Sequence, residues 1–438
     1  MYRRLSANMY KTKIPGQYYH IHGSLEASRT LQMIGLEPFR PELKEYRRCL
    51  ETISSAVRQF TSVQLEAMNA ENRQAGAPCL TRDEFKNTSH GRAMGKIPPF
   101  TIEPLEMSTP PTQLPSKSSL NHRHVLEGVR VLELCRVIAG PTIGRALAAH
   151  GAAVLKVTSP QLGDIPFFQL DVNHGKHTTS LHLRCPKHRA IFEDLLATTD
   201  VVVDGYRPNA LETLGYGPKK LAQLAKARGR GIVYISEDCF GGSGLATGSG
   251  ADWAHRPGWQ QIADCVTGVA WEQGRFMGLN EPVVPPFPMS DYGTGALGCV
   301  AALIGLHKRA TEGGSWVGRT SLVQYDMFLL SLGLYPTEVQ THLRNSHSPE
   351  FFKLRHDDSV DEIGRIALLS IKQLHPDLFG DDMVHESWSK GFNGILRWPR
   401  DALIIKGLRV GHLRTTRPNG FDAPSWEDWE IQDDLLHS

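Results

Sequence analysis

The fold class is decided by residues 129–157, which read VRVLELCRVIAGPTIGRALAAHGAAVLKV. Residues 129–134 form an apolar run that is typical of a buried strand, and residues 152–157 form a second one. Between them, residues 145–151 predict a short helix that ends at Gly151, because glycine is common just after a helix. Two strands joined by a helix over this distance indicate a parallel βαβ unit.

The same alternation continues beyond this unit. A helix is predicted at 187–198, and strands are predicted at 200–204 and 232–236. Repeated units of this kind indicate a parallel sheet. We therefore expect an α/β fold with a Rossmann-like large domain, whose ligand would bind at the C-terminal ends of the strands.

Further regions flank this large domain. Residues 18–22 alternate as a strand, and apolar spacing predicts a helix at 25–36 and two more within 41–70. Residues 97–124 are rich in Pro and Ser and have no period, which is typical of a linker. The predicted organisation is a small α/β domain at 1–96, the linker at 97–124, the Rossmann-like domain at 125–340 and a C-terminal segment at 341–438 that packs back on it.

The composition argues against several classes of partner. The chain has 438 residues with 48 basic and 46 acidic side chains, which gives a net charge of +2. This balance gives no reason to expect nucleic acid or an acidic membrane surface as partner. No apolar run reaches the roughly 18 residues that a membrane span needs, so no membrane association is expected.

Cysteine usage and the N-terminal residues bear on the compartment. Seven dispersed cysteines without a CxxC pair fit buried thiols in a reducing compartment. Residues 1–13 are basic and free of acids, as in organelle transit peptides, but a frayed basic tail is the preferred interpretation. We expect a cytoplasmic protein, with the mitochondrion and the peroxisome as alternatives.

The turn after the first strand of the large domain, Arg136-Val137-Ile138-Ala139-Gly140-Pro141, has two interpretations. A turn of small residues that opens a helix exposes backbone N–H groups to a ligand phosphate. The same turn can need its glycine for geometry alone. Neither GxGxxG nor GxxxxGK[ST] is present, which argues against a dehydrogenase and against a P-loop enzyme.

A second candidate is Asp291, which is followed by Gly293 and Gly295 and then by an apolar helix. Aspartate before a helix is most often an N-cap. It can also be a nucleophile, because a carboxylate is ionised at neutral pH and the helix dipole and the glycines would accommodate a reacting thioester. His20 and His22 share a strand face but have no third ligand nearby, so no metal site is expected.

Several segments resemble CoA-transferase family III, the CaiB/BaiF family, which includes formyl-CoA transferase, carnitine CoA-transferase and alpha-methylacyl-CoA racemase. They cover about residues 125–335 and occur in the family's order: LEGVRVLEL at 126–134, RVIAGP at 136–141, NHGK at 173–176, DVVVDGYRPNALETLGYG at 200–217, GWQQ at 258–261 and DYGTG at 291–295. The regions that resemble the family's small domain, at 16–24, 31–36 and 90–98, come first here. This order is similar to the second half of a tandem two-copy member.

The resemblance implies an activity and a site. In the family, the matching aspartate attacks an acyl-CoA and carries CoA as an aspartyl thioester, which implies Asp291 as catalytic residue. CoA would move from an acyl-CoA to an organic acid, as a substrate rather than a permanently bound cofactor. Family members form interlocked dimers, which implies a homodimer or a partner chain. The implied CoA-binding residues are Val137, Ile138, Ala139, Lys176, Arg207 and Ala210, with the two cations on the CoA phosphates.

The chain also departs from the family pattern. Residues 204–206 read Asp-Gly-Tyr where the family often has Glu-Asn-Phe, and no Gly-rich lid is recognisable before residues 18–22. These departures leave a non-catalytic partner subunit as an alternative. A 2-methylacyl-CoA racemase is another, but the place of its catalytic histidine falls on Trp259, which cannot act as a base, and His255 lies four residues earlier.

Overall fold

The computed structural model describes residues 1–114, 124–245, 250–427 and 429. Its strands are β1 (Ala7–Lys11), β2 (Tyr18–His22), β3 (Ala75–Pro78), β4 (Phe100–Glu106), β5 (Arg130–Leu134), β6 (Ala153–Thr158), β7 (His177–Ser180), β8 (Val201–Asp204), β9 (Val233–Asp238), β10 (Ser315–Ser321), β11 (Val384–Ser389) and β12 (Gly394–Pro399).

The α-helices lie between and after these strands. They are α1 (Ala27–Met33), α2 (Tyr46–Val57), α3 (Ser62–Asn72), α4 (Arg82–Asn87), α5 (Ser89–Met94), α6 (Ala139–Ala149), α7 (Pro166–Val172), α8 (Pro186–Leu196), α9 (Ala210–Thr213), α10 (Pro218–Ala227), α11 (Gln260–Thr267), α12 (Val269–Phe276), α13 (Met289–Thr311), α14 (Leu322–Ser331), α15 (Thr337–Ser346) and α16 (Val360–Leu374).

The large domain is built on a seven-stranded sheet in the order β4-β10-β9-β8-β5-β6-β7. All neighbouring strands are parallel except β4, which runs antiparallel to β10 at one edge. Val131, Val154 and Val203 are completely buried in one core cluster of this sheet. The predicted α/β fold with a Rossmann-like parallel sheet is confirmed.

Helix α13 is the central helix on one face of this sheet. Within the described ranges it is the one helix long and apolar enough to span a membrane by those two criteria, and half of its apolar window is buried. It packs against α6, β9 and β10. A Cβ atom at Gly298 would lie 2.5 Å from Ile143, and one at Gly305 would lie 2.7 Å from Val233. These glycines therefore allow α13 to approach α6 and the sheet closely.

Some local predictions differ from the structure. Helix α6 begins at Ala139 rather than at residue 145, because the small residues after β5 continue directly into the helix. The segment 97–124, predicted as a linker, contains β4, which pairs with β10 along Phe100–Glu106. Residues 115–123 of that segment lie outside the described residues. The frayed N-terminal tail is also wrong, since Ala7–Lys11 pairs with β2.

A second, antiparallel sheet of order β1-β2-β3 forms the core of the N-terminal region. Tyr10, Tyr19, Ile53 and Leu65 pack together on one side of it, under α2 and α3. Helix α16 joins the buried residues Met9 and Tyr18 on the other side, in a further apolar cluster.

The C-terminal segment divides its contacts between the two sheets. Its helix α16 packs on the small sheet. The prediction, that residues 341–438 pack on the large domain, did not include this contact. Residues after β12 do lie against the large sheet, where Asp422 accepts a hydrogen bond from the Thr178 amide at 2.8 Å. The segment thus connects the edge strand β7 to the N-terminal region.

Candidate active site

A cavity of about 800 Å³ opens where the C-terminal ends of β5, β8 and β9 face the small sheet. Its wall includes the β5–α6 turn, the β8–α9 turn, the start of α11 and the first turn of α13. The segment after β2 and the segment between α3 and β3 close the opposite side. Parallel sheets place ligand-binding loops at this edge, and the volume is that of an ordinary small-molecule site.

The predicted site residues line this cavity, with the exception of Lys176. Val137, Ile138 and Ala139 form the β5–α6 turn, and α6 starts without a side-chain cap. The first N–H groups of a helix have no partner within the helix, so this turn presents backbone donors and a positive dipole end to a ligand. Arg207 and Ala210 contribute from the β8–α9 turn.

Lys176 is a structural residue rather than a cation of the cavity. Its side chain and that of Glu133 are both 0% exposed, and the Lys176 Nζ lies 2.5 Å from Glu133 Oε2. The ammonium also donates to the Pro141 carbonyl at 2.7 Å. Burial lowers the pKa of Lys176 to about 8, which leaves the ammonium as the main form at neutral pH. The predicted contact between Lys176 and a CoA phosphate is therefore not supported by its position.

Asp291 lies in the first turn of α13, half-buried at the wall of the cavity. The sequence suggested that the two glycines that follow make room for a ligand, but they do not. A Cβ atom at Gly293 would lie 2.0 Å from the Tyr325 ring, and one at Gly295 would lie 2.5 Å from Thr142. The glycines are needed for helix packing, which fixes the helix end that carries Asp291.

The surroundings of Asp291 are acidic. Burial and then the nearby Asp264 raise the pKa of Asp291 well above its ordinary range. Asp264 accepts hydrogen bonds from Ser290 at 2.9 Å and from Gln260, and burial raises its pKa to about 7. Burial and then the neighbouring Asp264 raise the pKa of Asp326 as well. The raised pKa of Asp291 differs from the sequence-based assumption that its carboxyl group has an ordinary pKa.

Sequence reasoning missed Glu237, which lies at the end of β9 and lines the same cavity. Glu237 is 7% exposed. Burial and the neighbouring acids Asp238, Asp291 and Asp204 raise the pKa of Glu237 well above its ordinary range. Two acids at the C-terminal end of an apolar strand were the signal that could have found it.

Arginines occupy another part of the cavity wall. Arg73, Arg136 and Arg207 line it, and none of the three forms an ion pair with a carboxylate in the part of the chain that the structure describes. Burial and then the neighbouring Arg73 lower the pKa of Arg207, as expected for like charges on the same cavity wall. Arg73 follows α3 in a left-handed conformation with φ 54°. Two neighbouring guanidinium groups of this kind favour the binding of a phosphate group.

The histidines of this region are not placed to act as bases. His22 lines the cavity, but its Nε2 pairs with Gln261 at 3.1 Å and its ring stacks on Trp259. Burial lowers the pKa of His22 to about 4. His255 is exposed and does not line the cavity. No group of three or more potential ligands is arranged for a metal ion within the described ranges.

Comparison with known proteins identifies the family. The sequence model of CoA-transferase family III matches residues 126–355, just over half of the chain. This chain belongs to CoA-transferase family III. The match covers the Rossmann-like domain, including the whole of α13 and the β5–α6 turn.

Full-length similarity extends the match to the N-terminal region. The chain is 35% identical to acetyl-coenzyme A transferase nodX from Hypoxylon pulicicidum, over 97% of this chain and 71% of that protein. It is 32% identical to an acyl-CoA transferase from Gibberella moniliformis, over 76% of this chain and 58% of that protein. A solved CAIB/BAIF family protein from Brucella suis is 19% identical, with a TM-score of 0.46 over 68% of this chain and 97% of the other.

Proposed function

We propose that this chain transfers CoA between an acyl-CoA and an organic acid through a thioester on Asp291. The observation that carries the proposal is the cavity itself, which brings Asp291 together with the β5–α6 turn and the arginines. CoA has a reactive thioester at one end and phosphates at the other. A site with a carboxylate on one part of its wall, and on another part guanidinium groups that have no carboxylate partner among the described residues, matches those two chemistries.

The reaction uses only bonds between carboxylates and the thioester. An Asp291 oxygen attacks the acyl carbonyl carbon and the C–S bond breaks. CoA departs as its thiolate, and a mixed anhydride of Asp291 and the acyl group remains. The thiolate then attacks the Asp291 carbonyl carbon, the anhydride C–O bond breaks, and the acyl group departs as a carboxylate. The acceptor acid repeats the two steps in reverse order. No net proton is consumed, so the site needs a nucleophile and charge stabilisation rather than a strong base.

The position of Asp291 suits this role. It lies in the first turn of a 23-residue helix, whose positive end favours the carboxylate over the acid. Burial and then the nearby Asp264 oppose its ionisation, and the helix end offsets part of that cost. We infer that turnover increases with pH through the raised pKa of Asp291, because only the carboxylate can attack.

The test is a covalent trap. The protein is incubated with acetyl-CoA or succinyl-CoA, treated with hydroxylamine and analysed by intact-mass and peptide mass spectrometry. We expect a modification that maps to Asp291 and is absent in Asp291→Asn. The same variant should lose CoA exchange between acyl-CoA and a panel of carboxylic acids, while CoA binding measured by calorimetry is retained.

Two results would contradict the proposal. Full exchange activity in Asp291→Asn would remove the nucleophile. CoA binding by the wild type without any exchange or trapped adduct would favour a non-catalytic partner subunit instead.

A further inference from the structure

Glu237 is a second carboxyl group in the cavity that the proposed chemistry does not yet use. It is the last residue but one of β9, in register with Thr320 of β10, so its backbone is fixed by the sheet on that side. The residue is 7% exposed, and what remains accessible faces the cavity that also contains Asp291. It is not part of an ion pair in any of the ranges that the structure describes.

The other carboxyl groups at this strand end have partners. Asp238 accepts backbone N–H groups from Gly242 at 3.1 Å and from Ser243 at 2.8 Å, and so shapes the following loop. Asp204 accepts from the Tyr234 hydroxyl at 2.5 Å. For Glu237, the nearby Gly140 amide favours the charged form. Glu237 is therefore the acid of this group whose side chain remains available to a ligand.

The groups that face Glu237 favour its neutral form. Burial is the largest cause, followed by the nearby acids Asp238, Asp291 and Asp204. The buried thiols of Cys135 and Cys239 also lie close to Glu237. A carboxylic acid kept neutral by its surroundings can donate a hydrogen bond to a developing oxyanion. The Gly140 N–H, at the start of α6, points to the same region.

We propose that Glu237, as the neutral acid, donates a hydrogen bond to the oxygen that becomes negative when Asp291 attacks the acyl-CoA carbonyl. This inference rests on the proposed function. The proton stays on Glu237 throughout, because the bonds that form and break are those between carbon and oxygen or sulfur. Asp291 and Glu237 then act as a pair that is competent when it holds one proton.

This pairing gives Asp291 and Glu237 complementary roles among the carboxyl groups that line the cavity. If both were neutral, no nucleophile would be present, and if both were ionised, their repulsion would be uncompensated and the donor would be lost. Asp291 is the member at the positive end of α13 and keeps more of its surface in the cavity. It is therefore assigned the charge, and Glu237 the proton.

The first experiment measures the proton directly by infrared difference spectroscopy between the wild type and Glu237→Gln. We expect a C=O band of a protonated carboxyl that disappears from the difference spectrum as pH rises. In an Asp291→Asn background, which prevents turnover, adding acetyl-CoA should shift this band. Absence of the band at neutral pH would overturn the proposal even if the protein proves inactive as a transferase.

The second experiment compares pH profiles of CoA exchange for Glu237→Gln, Glu237→Ala and the control Glu312→Gln, a surface acid far from the cavity. Removing one oxyanion donor costs roughly 10²–10³-fold in kcat, so Glu237→Ala should be slowed by about that factor. Glu237→Gln keeps an N–H donor that cannot ionise, so its kcat should stay within about tenfold of the wild type. At high pH, ionisation of Glu237 should lower the activity of the wild type, and this decline should be absent in Glu237→Gln.

The control should reproduce the wild-type profile, and thermal unfolding should be similar for all variants. If Glu237→Ala keeps wild-type kcat and pH profile, Glu237 is not a donor. If Glu237→Gln is as slow as Glu237→Ala, the residue acts in its ionised form and the proposal is wrong. An inactive Asp291→Asn with unaffected Glu237 variants would leave the proposed function intact and reject only this inference.

Discussion

Replacing Lys176 by Met distinguishes a buried structural lysine from a ligand-binding one. Glu133 would then be left as an uncompensated acid at 0% exposure, and its Oε1 already has no hydrogen-bond partner among the described residues. Breaking a buried ion pair by removing one member costs about 3–5 kcal/mol of unfolding free energy. Losing the charge-assisted hydrogen bond to the Pro141 carbonyl contributes about 1.5–3 kcal/mol of that cost.

A double variant tests whether this loss of unfolding free energy comes from the uncompensated Glu133 carboxylate. Glu133→Leu combined with Lys176→Met replaces the pair by apolar side chains of similar size. Such replacements are often neutral or stabilising, so the double variant should recover most of the loss of the Lys176→Met single variant. Gly144 limits the recovery, since a Cβ atom there would lie 1.9 Å from Glu133 Oε2 and the space beside the carboxylate is therefore tight.

The assay is urea unfolding followed by tryptophan fluorescence, with CoA titration calorimetry on every variant that folds. We expect Lys176→Met to lower the unfolding midpoint strongly and the double variant to bind CoA like the wild type. Arg207→Ala is the matched control, with the opposite pattern of normal stability and weaker CoA binding. A stable Lys176→Met, or a stable double variant that no longer binds CoA, would refute the structural role and restore Lys176 as a phosphate ligand.

Two further predictions concern the cavity. Arg207→Ala and Arg73→Ala should each weaken CoA binding roughly 10–100-fold in calorimetry, since a charge-assisted hydrogen bond contributes about 1.5–3 kcal/mol, whereas the exposed Arg365→Ala should have no effect. Unchanged affinity in both cavity variants would place the CoA phosphates elsewhere. A 2-methylacyl-CoA incubated in heavy water should not exchange its α-proton, because His22, which lines the described part of the cavity, is held by Gln261 and Trp259. Exchange that vanishes in His255→Ala would favour the racemase.

The sequence was most informative where secondary structure depends on local apolar pattern. Strands β5, β6, β8 and β9 are apolar runs, and their spacing was enough to predict the parallel sheet. Strand β7 reads HTTS and has no apolar residue, and Pro104 within β4 argues against a strand there. Their hydrogen bonds come from distant segments, β6 for one and β10 for the other, which no local pattern reports.

The candidate site was predictable where a motif fixes a backbone position and less so where side-chain direction matters. Asp291 and the turn at Val137 follow from their places at element ends. Lys176 also lies beside a strand end, but its side chain points under α6 to Glu133. Whether a cation at such a position faces ligand or core depends on a partner 43 residues away in the chain.

The protonation state of the site is the property that the sequence could not give. Asp291 alone is an ordinary aspartate, but the fold gathers Asp264, Asp326 and Glu237 around it from three other elements. Because these acids are buried near one another, they cannot all be ionised at the same time, and their titrations depend on one another. Burial raises the pKa of both Asp264 and Asp326. If Glu237 keeps its proton, Asp291 carries the charge at the cavity wall, and activity should rise with pH as Asp291 ionises and decline as Glu237 does.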